Sequence, residues 1–190
     1  MVYLFLANGF EETEALVTVD VLRRAGYPVT TVGIGGSFIE GTHGITVKAD
    51  KTDSEVSPDA SLTAVILPGG MPGTLGLSES EKVAEFIRFA DENKKVIGAI
   101  CAAPSVLGEL GILENKTATC YPGFEDKLRG AIVEKSPCVI SDNIVTAAGA
   151  GAVFEFSFAL VDLIAWRQGI KPYGDFSLSE GLEESMQCVR

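Results

Sequence analysis

Short, almost unbroken apolar runs alternate along the chain with longer segments whose apolar positions recur every three or four residues. Residues 2–7 form a first run of strand length, and residues 12–25 follow with Leu16, Val19 and Leu22 at helical spacing and Gly26 as the stop. Residues 29–34 are a second run. Residues 62–67 are the third, ending in Pro68-Gly69-Gly70-Met71-Pro72-Gly73, a loop rich in positions that tolerate positive φ. Ser78 and Glu81 have capping-box spacing ahead of a helix with Val83, Phe86, Ile87 and Ala90 as its core stripe, and residues 96–100 make a fourth buried run. This alternation predicts an α/β fold: one doubly wound, mostly parallel sheet of the flavodoxin-like kind, with helices on both faces.

Residues 35–49 interrupt the alternation with Gly, Thr and alternating Ile45 and Val47, the pattern of a small hairpin excursion. Beyond Gly111 the pattern is choppier, with short strands expected over 117–120, 138–140 and 144–147. An apolar helix follows over 152–167, closed by Gly169 and Pro172. Glu155 and Asp162 interrupt its apolar surface, so it reads as a core helix rather than a membrane span. The organisation expected is one domain over residues 1–169 and a polar extension over 170–190.

Composition removes several function classes. With 190 residues and 46% apolar content, the chain can build one full core. Its formal charge of −11 argues against nucleic acid, whose binding depends on cationic contacts to phosphate. The N-terminal run lacks a basic flank and reads as a strand, not a signal peptide, which makes the cytoplasm the expected location. Cys101, Cys120, Cys138 and Cys188 form no C-x-x-C pair and His43 is the single histidine, so neither a zinc site nor a disulfide framework is expected. Gly33-x-Gly35 and Gly149-x-Gly151 begin like dinucleotide fingerprints. Phe38 and Phe154 replace the third glycine, and these glycines read as turn and helix-start residues.

The chemistry concentrates at Cys101. It sits between the run 96–100 and a short helix opened by Pro104, with Ala99 and Ala103 two residues to either side. That is the form of a nucleophile elbow, where a crowded turn admits only small residues at those places. A free cysteine is otherwise a common inert core residue, and the turn is what argues for reactivity. A thiol at a helix start is expected to ionise readily, which would make Cys101 the most reactive of the four.

Three segments would end strands on the same side of the sheet: Gly9-Phe10-Glu11-Glu12-Thr13-Glu14, Leu67-Pro68-Gly69-Gly70 and Ala99-Ile100-Cys101-Ala102-Ala103-Pro104. Together with Asp20-Val21-Leu22-Arg23-Arg24-Ala25-Gly26 and Phe154-Glu155-Phe156, they resemble the ThiJ/PfpI superfamily, the cysteine-elbow relatives of the class I glutamine amidotransferases. Within it they are most similar to the Parkinson-disease deglycase branch. The resemblance covers about residues 2–163. It implies Cys101 as the reactive cysteine, Glu14 as its partner acid, and an oxyanion hole formed by the N–H groups of Gly69, Gly70 and Ala102. Glu14 is expected to stay protonated, because a carboxylate beside a thiolate would repel it. Glu11 and Glu12 read as helix-start charges.

Two positions depart from the pattern. Tyr121, in Thr119-Cys120-Tyr121-Pro122, stands where relatives often have histidine. It can contact substrate, but a phenol is a poor base near neutral pH. Ala148 stands where relatives often have arginine. His43 does not fall at the catalytic position.

The resemblance therefore implies first a cytoplasmic, cysteine-dependent enzyme of the glyoxalase or deglycase type, acting on reactive carbonyls such as methylglyoxal or their adducts. No metal or organic cofactor is expected. The alternative is a redox-responsive, chaperone-like stress protein in which Cys101 is oxidised to sulfinate without turnover. An intracellular protease or amidase ranks third, because the histidine is missing. A homodimer is implied as well, with Val17 and Val21, off the core stripe of the first helix, as apolar surface for a partner. No nucleic-acid or membrane partner is expected.

Overall fold

The computed structural model describes residues 1–170 and 178–187. In chain order its elements are β1 (Val2–Leu6), α1 (Glu12–Arg24), β2 (Val29–Gly33), the hairpin β3 (Phe38–Glu40) and β4 (Thr46–Lys48), β5 (Lys51–Thr52), β6 (Ala64–Leu67), α2 (Gly73–Ser78), α3 (Glu81–Glu92), β7 (Val96–Ile100), α4 (Pro104–Glu109), β8 (Thr117–Ala118), β9 (Ile132–Val133), β10 (Cys138–Ser141), β11 (Ile144–Ala147), α5 (Val153–Arg167) and α6 (Leu178–Gln187).

Seven strands form the central sheet in the order β10-β11-β7-β6-β1-β2-β5, parallel throughout except where β10 pairs antiparallel with β11. Its inner five strands have the expected doubly wound order, with the direction of winding reversing between β1 and β6. Alternation along β1 divides the core: Leu4 and Leu6 face α1 and α5, while Tyr3 and Phe5 face α3. Tyr3 and Phe5 each meet Phe86 edge-on with ring centroids 5.0 Å apart.

Helix α5 packs against both the sheet and the neighbouring α1. Gly98 on β7 allows this close approach, since a Cβ there would lie 2.9 Å from Leu160 Cδ2 and 3.0 Å from Phe156 Cζ. Polar groups join the two helices within the apolar packing. Ser157 Oγ lies 2.7 Å from the Val153 carbonyl and 3.2 Å from Thr18 Oγ1, and Thr18 donates to the Glu14 carbonyl at 2.7 Å. The first turn of α1 is thereby fixed from below.

Several local expectations are corrected. Ser78 does not cap α3: it ends α2 and its hydroxyl donates to Glu109 Oε2, while Ser80 is the cap, accepting from the Val83 N–H at 3.3 Å. On α1, Leu16 faces solvent and Val21 is fully buried, the reverse of the expected stripe. The reason is that α1 is covered by both the sheet and α5, which widens and rotates its buried arc. The two-residue strands β5 and β9 were not expected; β8 occupies the first half of the run expected over 117–120 and pairs with β9 in a separate small sheet.

The extension expected over 170–190 lies partly outside the described residues, as does Cys188. Its described part is α6, which packs on α5 and is tied to it by the Ser179 N–H and hydroxyl donating to Asp162 at 3.0 and 2.6 Å.

Phe156 is fully buried at the tightest of these contacts, whereas Phe38 on the hairpin is 67% exposed. Phe156→Ala should cost about 3–5 kcal/mol in urea denaturation and Phe38→Ala within about 0.5 kcal/mol of wild type. Equal losses would show that the hairpin belongs to the cooperative core.

Candidate active site

Cys101 follows β7 directly and has φ +64°, the left-handed region that a residue with a Cβ enters only when its surroundings impose it. Three backbone hydrogen bonds impose it here. The Cys101 N–H donates to the Ala147 carbonyl at 2.8 Å, its carbonyl accepts the Tyr121 N–H at 2.8 Å, and the Ala103 N–H closes back on Ile100 at 3.1 Å. Ala99 and Ala103 are fully buried, as the crowded elbow requires.

Glu14 lies one turn into α1 and is 1% exposed. The Glu11 side chain caps the helix by accepting the Glu14 N–H at 2.7 Å, which sets the helix start one turn before Glu14 and directs its carboxyl inward. Glu14 Oε2 accepts the Gly69 N–H at 2.8 Å, and the Cys101 thiol is its other hydrogen-bond partner. Gly69 has to be glycine: a Cβ there would lie 2.6 Å from Cys101 Cβ and 2.7 Å from Glu14 Oε2.

Of the three N–H groups expected to form an anion hole, those of Gly70 and Ala102 hydrogen-bond the Cys101 sulfur. The Gly69 N–H does not join them, because it is committed to Glu14. Gly70 has φ +92°, which turns its N–H away from the strand direction and towards the sulfur side of the loop. The site thus lies over the carboxyl ends of β1, β6 and β7, at the reversal of winding where doubly wound sheets bind ligands.

Burial raises the Glu14 carboxyl to about 7, against the lowering effects of the Gly69 N–H and the Cys101 thiol. The readily ionised thiol expected from the helix start is not what these surroundings produce. Burial and the adjacent Glu14 charge push the thiol up to about 12, against the Gly70 and Ala102 N–H groups. Helix α4 has fewer than two turns and begins at Pro104, so its dipole offers little in compensation. Two anions are prohibitive in this space, and the pair carries one negative charge above neutral pH. Moving a single proton along the Glu14–Cys101 hydrogen bond transfers that charge between oxygen and sulfur.

Tyr121 is half exposed and stands beside Gly149, where a Cβ would lie 3.3 Å from the Tyr121 ring and 4.0 Å from Glu14 Oε1. Gly149, read from sequence as a turn glycine, is therefore part of the site wall. A small residue four positions ahead of an inward-facing helix was a visible signal, but one shared with many turns. Cys120 and Cys138 are also raised, to about 11 and about 12, by burial and by the charges of Glu125 and Glu155 respectively. Neither has a hydrogen-bonded acid beside it among the described residues.

Glu12 is not a simple helix-start charge. It is buried, and it accepts from the His43 N–H at 2.7 Å and faces His43 Nδ1 at 2.8 Å, which ties the β3–β4 turn to α1. His43 is thereby held on the hairpin, outside the Cys101 site.

A family model described as the DJ-1/PfpI family matches residues 1–163. The Drosophila melanogaster protein dj-1beta is 32% identical over 171 residues, covering 88% of this chain and 91% of that one. The Caenorhabditis elegans glutathione-independent glyoxalase DJR-1.2 is 33% identical over 156 residues, covering 81% and 82%. The solved structure of oxidized Toxoplasma gondii DJ-1 superposes with a TM-score of 0.88 at 27% identity, covering 100% of this chain and 98% of that one.

The proton shared by Glu14 and Cys101 has two measurable consequences. Alkylation of Cys101 by iodoacetamide should rise through an inflection near pH 7 and then level off, and Glu14→Gln should move that inflection. A rate climbing smoothly to pH 10 would mean that the thiol titrates alone. For stability, the folded Glu14 value of about 7 lies above the ordinary carboxyl value of 4.5, so its contribution is complete below pH 4.5 and is lost as pH rises through 7. The stability difference between Glu14→Gln and wild type should therefore shift by about 3 kcal/mol in favour of the variant from pH 4 to pH 8. A constant difference would place Glu14 in solvent.

Proposed function

Because the chain belongs to the DJ-1/PfpI family, we propose that it is a cysteine-dependent enzyme of the glyoxalase type, converting α-oxoaldehydes such as methylglyoxal, free or as adducts, to 2-hydroxy acids. The observation that carries this reading is the convergence on one sulfur of a titratable carboxyl and two backbone N–H groups. The glyoxalase name of the Caenorhabditis elegans relative supports it.

In this mechanism Cys101 sulfur bonds to the aldehyde carbon while its proton passes to Glu14. The oxygen that gains charge is held by the Gly70 and Ala102 N–H groups. Glu14, once its proton has been passed to that oxygen, removes the hydrogen from the same carbon and returns a proton to the neighbouring carbonyl carbon, while the hydroxyl proton of the first carbon moves to the oxygen of the second. The aldehyde carbon is oxidised to a thioester and the ketone carbon reduced to an alcohol, with no external oxidant. Water then cleaves the thioester, releasing the 2-hydroxy acid and regenerating the thiol. A carboxyl near pH 7 suits both halves of the transfer.

A second reading has its own support. The same acid and N–H groups would hold a sulfinate on Cys101, formed with two equivalents of peroxide reduced to water, and one structural neighbour is an oxidized DJ-1. A proteolytic role is not favoured, since Tyr121 stands where a histidine would protonate a departing amine and Glu14 is engaged with the sulfur. We place the protein in the cytoplasm as a homodimer. Exposed Leu16 and half-buried Val17 on α1, rather than buried Val21, supply the apolar surface for the partner. No helix among the described residues is long and apolar enough to cross a membrane.

Wild-type protein should turn over methylglyoxal, and Cys101→Ser should lose about 10³-fold or more in kcat/KM. A fluorogenic peptide assayed on the same preparation should remain intact. Equal methylglyoxal turnover by the serine variant would reject the enzymatic reading. Peroxide-treated protein gaining two oxygens at Cys101 without any turnover would establish the redox one.

A further inference from the structure

A groove of about 790 Å³ runs along the Tyr121 edge of the site, bounded by the segments 119–122, 133–137 and 148–152. It adjoins the reactive centre: Tyr121 and Gly149 line it, the Tyr121 N–H is bonded to the Cys101 carbonyl, and a Cβ on Gly149 would lie 4.0 Å from Glu14 Oε1. Methylglyoxal presents a single methyl group to this space, whose volume lies in the range that holds far larger ligands.

The chemistry of the floor selects what can fill it. Cys120, Gly149 and Ala152 are buried there and offer no charged group. Several polar groups of the floor are already paired: Thr119 donates its hydroxyl to the Ser136 carbonyl at 2.9 Å and its N–H to Thr146 Oγ1 at 3.0 Å, and the Ala148 N–H is bonded to the Pro137 carbonyl at 2.9 Å. A polar ligand would lose hydration there and recover few hydrogen bonds. Val133, Pro137 and Ala148 continue the apolar lining; of the three charged lining residues Glu134 and Lys135 are exposed, and Glu125 is half-buried with its carboxylate accepting the Gly123 N–H at 2.7 Å.

We infer that this groove seats the apolar substituent of the substrate, so that the preferred substrate is an α-oxoaldehyde bearing an alkyl tail of several carbons rather than methylglyoxal. The inference rests on the glyoxalase reading and gives it a substrate class. The balance of the reaction is unchanged: R–CO–CHO and water give R–CHOH–COOH, with R in the groove and the two reacting carbons between Cys101 and Glu14.

The test compares kcat/KM for methylglyoxal and 2-oxooctanal on the full chain, with Cys101→Ser as the control. Each methylene brought out of water is worth about fourfold, so the longer aldehyde should be preferred by about tenfold or more. Val133→Asp places a charge on the lining at an exposed position, and Ala148→Phe fills the space. Each should cut the preference at least about fivefold. Val133→Ser serves as a milder second variant, and circular dichroism verifies folding. Cys101-dependent methylglyoxal turnover with no preference for 2-oxooctanal, or with a preference that no groove variant alters, overturns the groove assignment and leaves the glyoxalase reading standing. A groove covered by a second copy would show as a change of oligomeric state in Val133→Asp at unaltered preference, which also overturns it. Absence of Cys101-dependent turnover of either aldehyde rejects the glyoxalase reading and the groove assignment with it.

Discussion

The burial of one carboxyl group without a cation beside it is the constraint on which the rest of the site depends. Glu14 is almost fully enclosed, and its hydrogen-bond partners are the Gly69 N–H and the Cys101 thiol. A carboxylate would be costly there unless neutralised, so the chain holds a proton that two acids must share. Other features follow from it. Gly69 must lack a side chain so that acid and thiol can meet, Glu11 must cap α1 at the place that turns Glu14 inward, and Thr18 must hold the Glu14 carbonyl from the next turn.

The doubly wound sheet provides this arrangement at its point of reversal. Strands β1, β6 and β7 are adjacent and parallel, so the segments leaving their carboxyl ends emerge side by side. One carries the acid, the next the glycine pair and the third the cysteine. β11 completes the enclosure by accepting the Cys101 N–H through Ala147, and Gly149 follows two residues later.

The architecture was legible because buried parallel strands and two-sided helices leave strong periodic marks on sequence. The two-residue strands β5 and β9 leave none, and β8 is only half as long as the run 117–120 that marked it. The Ser78 and Ser80 alternatives for the α3 cap differ by half a turn and share the same residue type, so only the geometry separates them. Leu16 and Val21 were exchanged because a stripe analysis assumes one buried face and α1 has two covered sides. At the site, Cys101 was visible from the small residues around its turn, whereas Glu14 and the glycine pair were visible only through the family resemblance. The ionisation of Cys101 was not legible at all: a helix start argued for a low thiol pKa, and burial beside an acid outweighed six residues of α4.

The left-handed turn at Cys101 also bears on when the site comes into being. Its partners belong to positions 14, 69–70, 121 and 147, separated along the chain by dozens of residues, and contacts of such range form slowly because long loops must close first. Until β11 and the Tyr121 segment are in place, no hydrogen bond from either holds the cysteine out of the ordinary conformations of its strand. The thiol therefore acquires its special surroundings only when the last long-range pairing is made. A chain lacking any one of these pairings would leave Cys101 without part of the surroundings that distinguish it from an ordinary cysteine.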